Sequence, residues 1–301
     1  MKEHLYNSLR PLCLSLAVLL SMPMLAEQVE IDGINYELNV EAKQATVIGK
    51  IGGKYSGEIL IPESVEYEDV TFSVTSIRDQ AFRGCSGLTS VAIGNSVTSI
   101  GYDAFYSCSG LTSVTIGNCV TSIRDNAFFG CSGMTSVTIG NSVTSIGNDA
   151  FSYCRGLTSV TIPNSVNSIG DYAFASCSGL TKITIGNGVT SIGDRAYGCS
   201  ELLDVYCYAE NVPSTGSDAF SSSPIQNATL HVSAASIESY KVTAPWSGFG
   251  KIVALTPEET GIGELKVENG KRETAVYDLS GRSVQKAQKG FFIQNGKVMV
   301  K

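Results

Sequence analysis

Apolar and polar residues alternate in short runs along most of this chain, and the runs recur. In Ser113-Val-Thr-Ile116 the apolar Val114 and Ile116 alternate with Ser113 and Thr115, the period of a strand with one buried face. Asn118 follows as a turn residue, and Val120 to Ile123 makes a second short extended piece. Asp125 then precedes Ala127, Phe128 and Cys131. That order predicts one helical turn whose free amide hydrogens are accepted by the aspartate, with Gly133 closing the turn into the next strand.

The whole pattern repeats every 23 residues, marked by Cys85, Cys108, Cys131, Cys154 and Cys177. Cys199 comes after 22, because one residue is missing between Tyr197 and Cys199. A period of this size indicates stacked units, none of which buries its apolar side alone. Stacking at about 4.8 Å per coil places like residues over like and builds a parallel sheet. The resulting structural column is expected to hold Phe82, Phe105, Phe128, Phe151, Phe174 and Tyr197 beside Cys85, Cys108, Cys131, Cys154, Cys177 and Cys199.

Open ends of such a stack must be closed, since bare strand edges pair with other chains. Residues 72–208 read as six repeats. Residues 27–71 read as an N-terminal cap in which Gly57-Glu-Ile-Leu-Ile-Pro62 resembles the strand part of one coil. Residues 209–255 read as a degenerate repeat, carrying Asp218-Ala-Phe220, followed by a C-terminal cap. Trp246, the only tryptophan, is expected to seal the core there, with a ligand-binding aromatic as the alternative.

Residues 1–26 read as a secretory signal peptide: Lys2 and Arg10, the apolar run Leu12 to Leu20, then Met22-Pro-Met-Leu-Ala26 before Glu27. The run is short for a membrane-spanning helix, and no later segment is apolar enough for one. Residues 256–263 read as a linker and 264–301 as a β-rich C-terminal segment, with Asn295-Gly296 as a hairpin turn because this pair tolerates the positive φ angles of a type I′ turn.

The unit Leu-Thr-Ser-Val-Thr-Ile-Gly-Asn-Ser-Val-Thr-Ser-Ile-Gly-x-x-Ala-Phe-x-x-Cys resembles the BspA-type leucine-rich repeat, over roughly residues 30–255. Ala228-Thr-Leu-His-Val232 and Tyr240 to Leu255 are similar to the closing segment of that family. The resemblance implies a leucine-rich-repeat-type solenoid: a parallel β-sheet with short helical turns per coil, capped ends and here a small β C-terminal segment. It also implies a secreted or cell-surface protein, since several members adhere to matrix glycoproteins or to other cells. Val276-Tyr-Asp-Leu-Ser-Gly-Arg282, Lys289-Gly-Phe-Phe-Ile293 and the final Gly-Lys-Val resemble the C-terminal sorting segment of type IX secretion substrates, in a shorter form. That implies the secretion machinery as a partner, with a plain structural tail as the alternative.

Only 16% of residues are charged, against about 25% in ordinary globular proteins; Ser, Thr and Gly take their place. Net charge is −7, and no basic stripe points to nucleic acid. His231 is the only histidine outside the leader, so neither a Ser/His/Asp relay nor a three-histidine metal site is available. The column Asp79, Asp103, Asp125, Asp149, Asp171, Asp194 and Asp218 is expected to cap turns, with calcium binding or a catalytic carboxylate pair as the lesser readings. The expectation is therefore no enzyme, with no catalytic, metal or cofactor residues. Eight cysteines follow the leader. They are expected to be buried free thiols acting as small apolar fillers, although adjacent coils would also permit disulfides.

The solvent side of the main sheet is expected to carry Thr89 and Ser90; Thr112, Ser113 and Thr115; Thr135, Ser136 and Thr138; Thr158, Ser159 and Thr161; and Thr181, Lys182 and Thr184. Threonine suits a solvated strand face without any function. The functional reading is a binding face for an extracellular protein or glycan, in which many weak contacts add through avidity. A structural spacer with no specific ligand is the alternative.

Overall fold

The computed structural model describes residues 27–256, Glu259 and four C-terminal strands, Val276–Asp278, Ser283–Val284, Phe291–Gln294 and Lys297–Val300. The expected leader, the Asn295-Gly296 turn and most of the expected linker lie outside the described residues.

Period-2 alternation and a fixed repeat length produce a parallel β-solenoid of about 8 coils. Two-residue Ser-Ile strands form one face. Ser99–Ile100, Ser122–Ile123, Ser145–Ile146, Ser168–Ile169 and Ser191–Ile192 pair in parallel with their equivalents in adjoining coils. The longer Thr-Ser-Val-Thr-Ile strands form a second face, with Ser113 opposite Ser136 and Lys182 opposite Asp204.

The third face differs from a stack of helical turns. Bonds such as Arg83 N to Gln80 O and Cys85 N to Phe82 O close tight turns, but left-handed residues interrupt any helix. Gln80, Asp103, Asn126, Asp149, Tyr172 and Arg195 all have φ between 52° and 61°. These residues rotate intervening amides toward the neighbouring coil, so Phe82 N donates to Ala104 O at 2.7 Å and Phe128 N to Ala150 O at 2.8 Å. Of the expected capping column, Asp103 and Asp149 themselves take the left-handed position, while three others accept from the next coil. Asp79 Oδ1 accepts the amide of Tyr102, Asp125 Oδ1 that of Asn148 and Asp171 Oδ1 that of Asp194, each at 2.8 Å. Asn148 does the same for Asp171, so the position needs an acceptor oxygen rather than a charge.

Inside, Phe82, Phe105, Phe128, Phe151, Phe174, Tyr197 and Phe220 stack in one column, with centroid spacings rising from 4.7 to 5.7 Å. Tyr55 tilts onto the first ring, and Trp246 and Phe249 meet the last edge-on. Trp246 is fully buried and directs its indole N–H to Pro213 O. Each column thiol from Cys108 to Cys199 points at the carbonyl of the aromatic residue one coil back, at 3.0–3.4 Å. Burial pushes the Cys177 thiol up to about 12 and Cys154 and Cys199 well above the ordinary range. All eight cysteines of the described residues are free, and Cys119 alone is exposed. A thiol reagent is therefore expected to modify Cys119 only in the native protein and the other seven only after denaturation; fast native labelling of a column cysteine contradicts this packing.

Tyr197 breaks the phenylalanine column with a hydroxyl that is buried and has no partner among the described residues. Leaving such a group unpaired costs about 1–3 kcal/mol. Tyr197→Phe is expected to raise stability by about 1 kcal/mol or more, measured by denaturant unfolding; a loss of stability means that the hydroxyl is paired in solution.

The second face is broken once. Strands Gly57–Ile61, Leu88–Ile93, Ser113–Thr115 and Ser136–Thr138 form one set, and Ser159–Ile162, Lys182–Ile185, Asp204–Cys207, Thr229–Val232 and Lys251–Ala254 another. Asn118, Asn141 and Asn187 each donate their amide to the asparagine side chain one coil earlier; among the described residues Asn164 has no such bond to Asn141. The cause is the residue before each asparagine. Gly94, Gly117, Gly140 and Gly186 lie so close to the preceding coil that a Cβ on Gly117 would sit 2.5 Å from Gly94 O, and one on Gly140 closer still to Gly117 O. Pro163 occupies this position between Gly140 and Gly186. It brings a Cβ and lacks an N–H, and the coils part there.

At the N-terminal end, Glu27–Ile31 and Ile34–Asn39 form an antiparallel hairpin turned by Asp32 and Gly33, both with positive φ, the type I′ geometry that Asp-Gly favours. Gln44–Val47 carries this sheet into the solenoid by pairing in parallel with Val70–Ile77. The four C-terminal strands form a separate antiparallel sheet in which Gln294 pairs with Lys297.

Candidate functional site

The threonine face splits into two rows once its hydrogen bonds are traced. The hydroxyls of Thr112, Thr135 and Thr181 donate to the carbonyls of Thr89, Thr112 and Thr158 at 2.9–3.2 Å. Ser113 donates to Ser90 at 3.1 Å. Those groups bind the coils to each other. The outer row Thr115, Thr138, Thr161 and Thr184, with Ser136 and Ser159, makes no such side-chain bond among the described residues. The break at Pro163 falls between Thr138 and Thr161, so the row comes in two pairs.

Towards the C-terminal end the hydroxyl pattern gives way to aromatic and charged groups. Lys182 Nζ lies 4.4 Å from the Tyr206 ring centre, and Tyr206 stacks on His231 at 4.2 Å. His231 Nε2 meets Asp204 at 3.1 Å, and Nδ1 faces Glu259 at 3.7 Å. Glu259 also receives the Tyr208 hydroxyl on its backbone carbonyl at 2.7 Å. Burial pushes the Glu259 carboxyl up, but hydrogen bonds from Thr256 and the charge of His231 outweigh it and hold the group below the usual carboxylate range. Two carboxylates and the Tyr206 ring thus surround the histidine. Among the described residues no set of three or more His, Cys, Asp or Glu is placed to hold a metal.

The turn face carries a feature that the repeat consensus hides, because it lies at positions where the copies differ. Arg83 lies over Tyr106 at 4.2 Å, Tyr106 stacks on Phe129 at 4.8 Å and Phe129 meets Tyr153 at 5.2 Å. Arg155 lies 5.6 Å from the Tyr153 ring. This external aromatic ridge runs across four coils and ends beside a groove of about 440 Å³ at Gly198. Tallying the variable positions between Phe and Cys in each repeat was the available sequence signal.

No curated protein matches the chain in sequence. Among solved structures, a leucine-rich repeat protein of T. pallidum is 26% identical with a TM-score of 0.54, over 63% of this chain and 85% of that one. One from Bacteroides ovatus is 23% identical with a TM-score of 0.41, over 75% and 76%. A leucine-rich cell surface protein from Faecalibacterium prausnitzii is 20% identical with a TM-score of 0.32, over 76% and 95%. No helix among the described residues is long and apolar enough to cross a membrane. The profile of the BspA type leucine-rich repeat region matches residues 63–148 and 121–242 in six copies. Together these spans cover more than half of the 301 residues: the chain belongs to the BspA-type leucine-rich repeat family.

Proposed function

We propose that this protein is an exported or cell-surface binding module that holds an extracellular protein or glycan on its repeat surface. Leucine-rich-repeat solenoids serve as binding scaffolds, and the observation that carries the reading here is the outer row of Thr115, Thr138, Thr161 and Thr184. Their hydroxyls make no side-chain hydrogen bond among the described residues, whereas those of Thr112, Ser113, Thr135 and Thr181 are engaged between coils. Two pairs of threonines, spaced by about 4.8 Å within each pair, can present several weak contacts at once. In this reading the leader over 1–26 directs export, residues 27–71 and 209–255 cap the stack, and the segment 264–301 addresses the secretion machinery. The chain needs no chemistry of its own for this role.

The test is binding of the full exported chain to immobilised matrix glycoproteins, before and after Thr115, Thr138, Thr161 and Thr184 are replaced by lysine. The outer row bears contacts if the variant loses saturable binding while its unfolding midpoint holds. Unchanged binding removes the row from the site.

A further inference from the structure

The sixth repeat lacks one residue, and the gap has a location. In the preceding coils a left-handed residue stands just before the column cysteine: Gly84, Ser107, Gly130, Tyr153 and Ser176, with φ between 56° and 70°. In the sixth coil Gly198 alone joins Tyr197 to Cys199. The outward bulge of that turn is missing, and a shallow, open groove of about 440 Å³ lies there.

The walls have a definite chemistry. On one side Tyr153, 41% exposed, ends the aromatic ridge. It adopts φ 61°, a conformation that costs a bulky residue energy and that other coils assign to glycine or serine. Its ring leans on Phe129 and lies beside Arg155, and the rest of it faces solvent. Beside it, Arg155 has no ion-pair partner among the described residues, whereas Arg78, Arg83 and Arg195 pair with Glu37, Asp103 and Asp218. Facing both are Ser176, Ser178, Ser200 and Ser222, none of which makes a side-chain hydrogen bond among the described residues. Although the chain is acidic overall, with net charge −7, the unpaired guanidinium is a local site for an anion. A flat ring beside a bank of free hydroxyls suits a sugar better than a peptide, which would want apolar pockets or a strand edge.

We propose that this groove binds an acidic saccharide, with its anionic group on Arg155, a sugar ring on Tyr153 and its hydroxyls on the opposing serines. The proposal rests on the reading of the chain as a binding module but places the ligand on a different face from the threonine row, so the two can fail separately.

The probes are heparin, which is sulfated, and hyaluronan, which carries only carboxylates, with poly-glutamate as the acidic peptide. The full exported chain is expected to bind heparin or hyaluronan saturably, and whichever binds identifies the anion. Arg155→Gln and Tyr153→Ser should each weaken that binding roughly tenfold or more. Inserting one serine between Gly198 and Cys199 restores the full repeat, fills the groove and should abolish binding while the fold persists. Arg124→Gln, which removes an equally unpaired arginine lying over Tyr102 at 5.0 Å, should leave binding unchanged, as should the threonine-row variant. Equal weakening by Arg124→Gln, preference for poly-glutamate, or no binding to either polysaccharide overturns the proposal.

Discussion

Phe128→Ala is expected to cost about 3–5 kcal/mol, a large part of the stability of an ordinary domain. Phe128 is fully buried and stacks on Phe105 at 5.0 Å and Phe151 at 5.1 Å. Its removal leaves a void in two interfaces at once, and a solenoid holds together only through contacts between neighbouring coils. The comparison is Phe129→Ala, one residue along, on the external ridge. That ring is only half-buried, and its loss should cost about 1 kcal/mol. Denaturant unfolding of both variants separates them. Equal costs would mean that the internal column is not the main support of the stack.

Gly140→Ala is expected to part the coils a second time. The added Cβ has no room against the carbonyl of Gly117, and overpacking of this kind costs about 1–3 kcal/mol. Pro163 shows what the protein does when a Cβ is already present: the strands on that face separate while the Ser-Ile face stays paired, Ser145 to Ser168. The reverse substitution, Pro163→Gly, should close the break. Its effect on overall stability is expected to be small, because the regained contacts are offset by a more flexible unfolded chain. The informative reading is amide exchange. Thr158 and Asn164 should exchange faster than Thr181 and Asn187 in the native protein, then become protected in Pro163→Gly. Protection at Thr158 in the native protein would contradict the break.

Much of the architecture was legible in the residues. The alternation in Ser113-Val-Thr-Ile116, the 23-residue spacing of the cysteines and the recurring Ala-Phe pair are direct consequences of stacking like on like, so columns and strands could be read without coordinates. The turn face was not legible in the same way. Ala-Phe-x-x-Cys has the look of one helical turn, and Asp125 the look of its cap; only the neighbouring coil, which captures the amides, makes the left-handed alternative better. Pro163 drew no reading from the sequence, because its effect depends on the close approach of Gly140 to Gly117. The hydroxyls of Thr112 and Thr135 read as free surface until the carbonyls behind them are located. The groove was half visible: the missing residue beside Gly198 stands out in the sequence, but its nearness to Tyr153 and Arg155, two coils earlier, comes from the stacking.

The most direct test of the account is a binding isotherm for the chain from residue 27 onward on a panel of immobilised matrix glycoproteins and glycans, at low and moderate salt. The account predicts saturable binding to one class that persists at moderate salt. No saturable binding to any member of the panel would contradict it and leave the solenoid as a spacer.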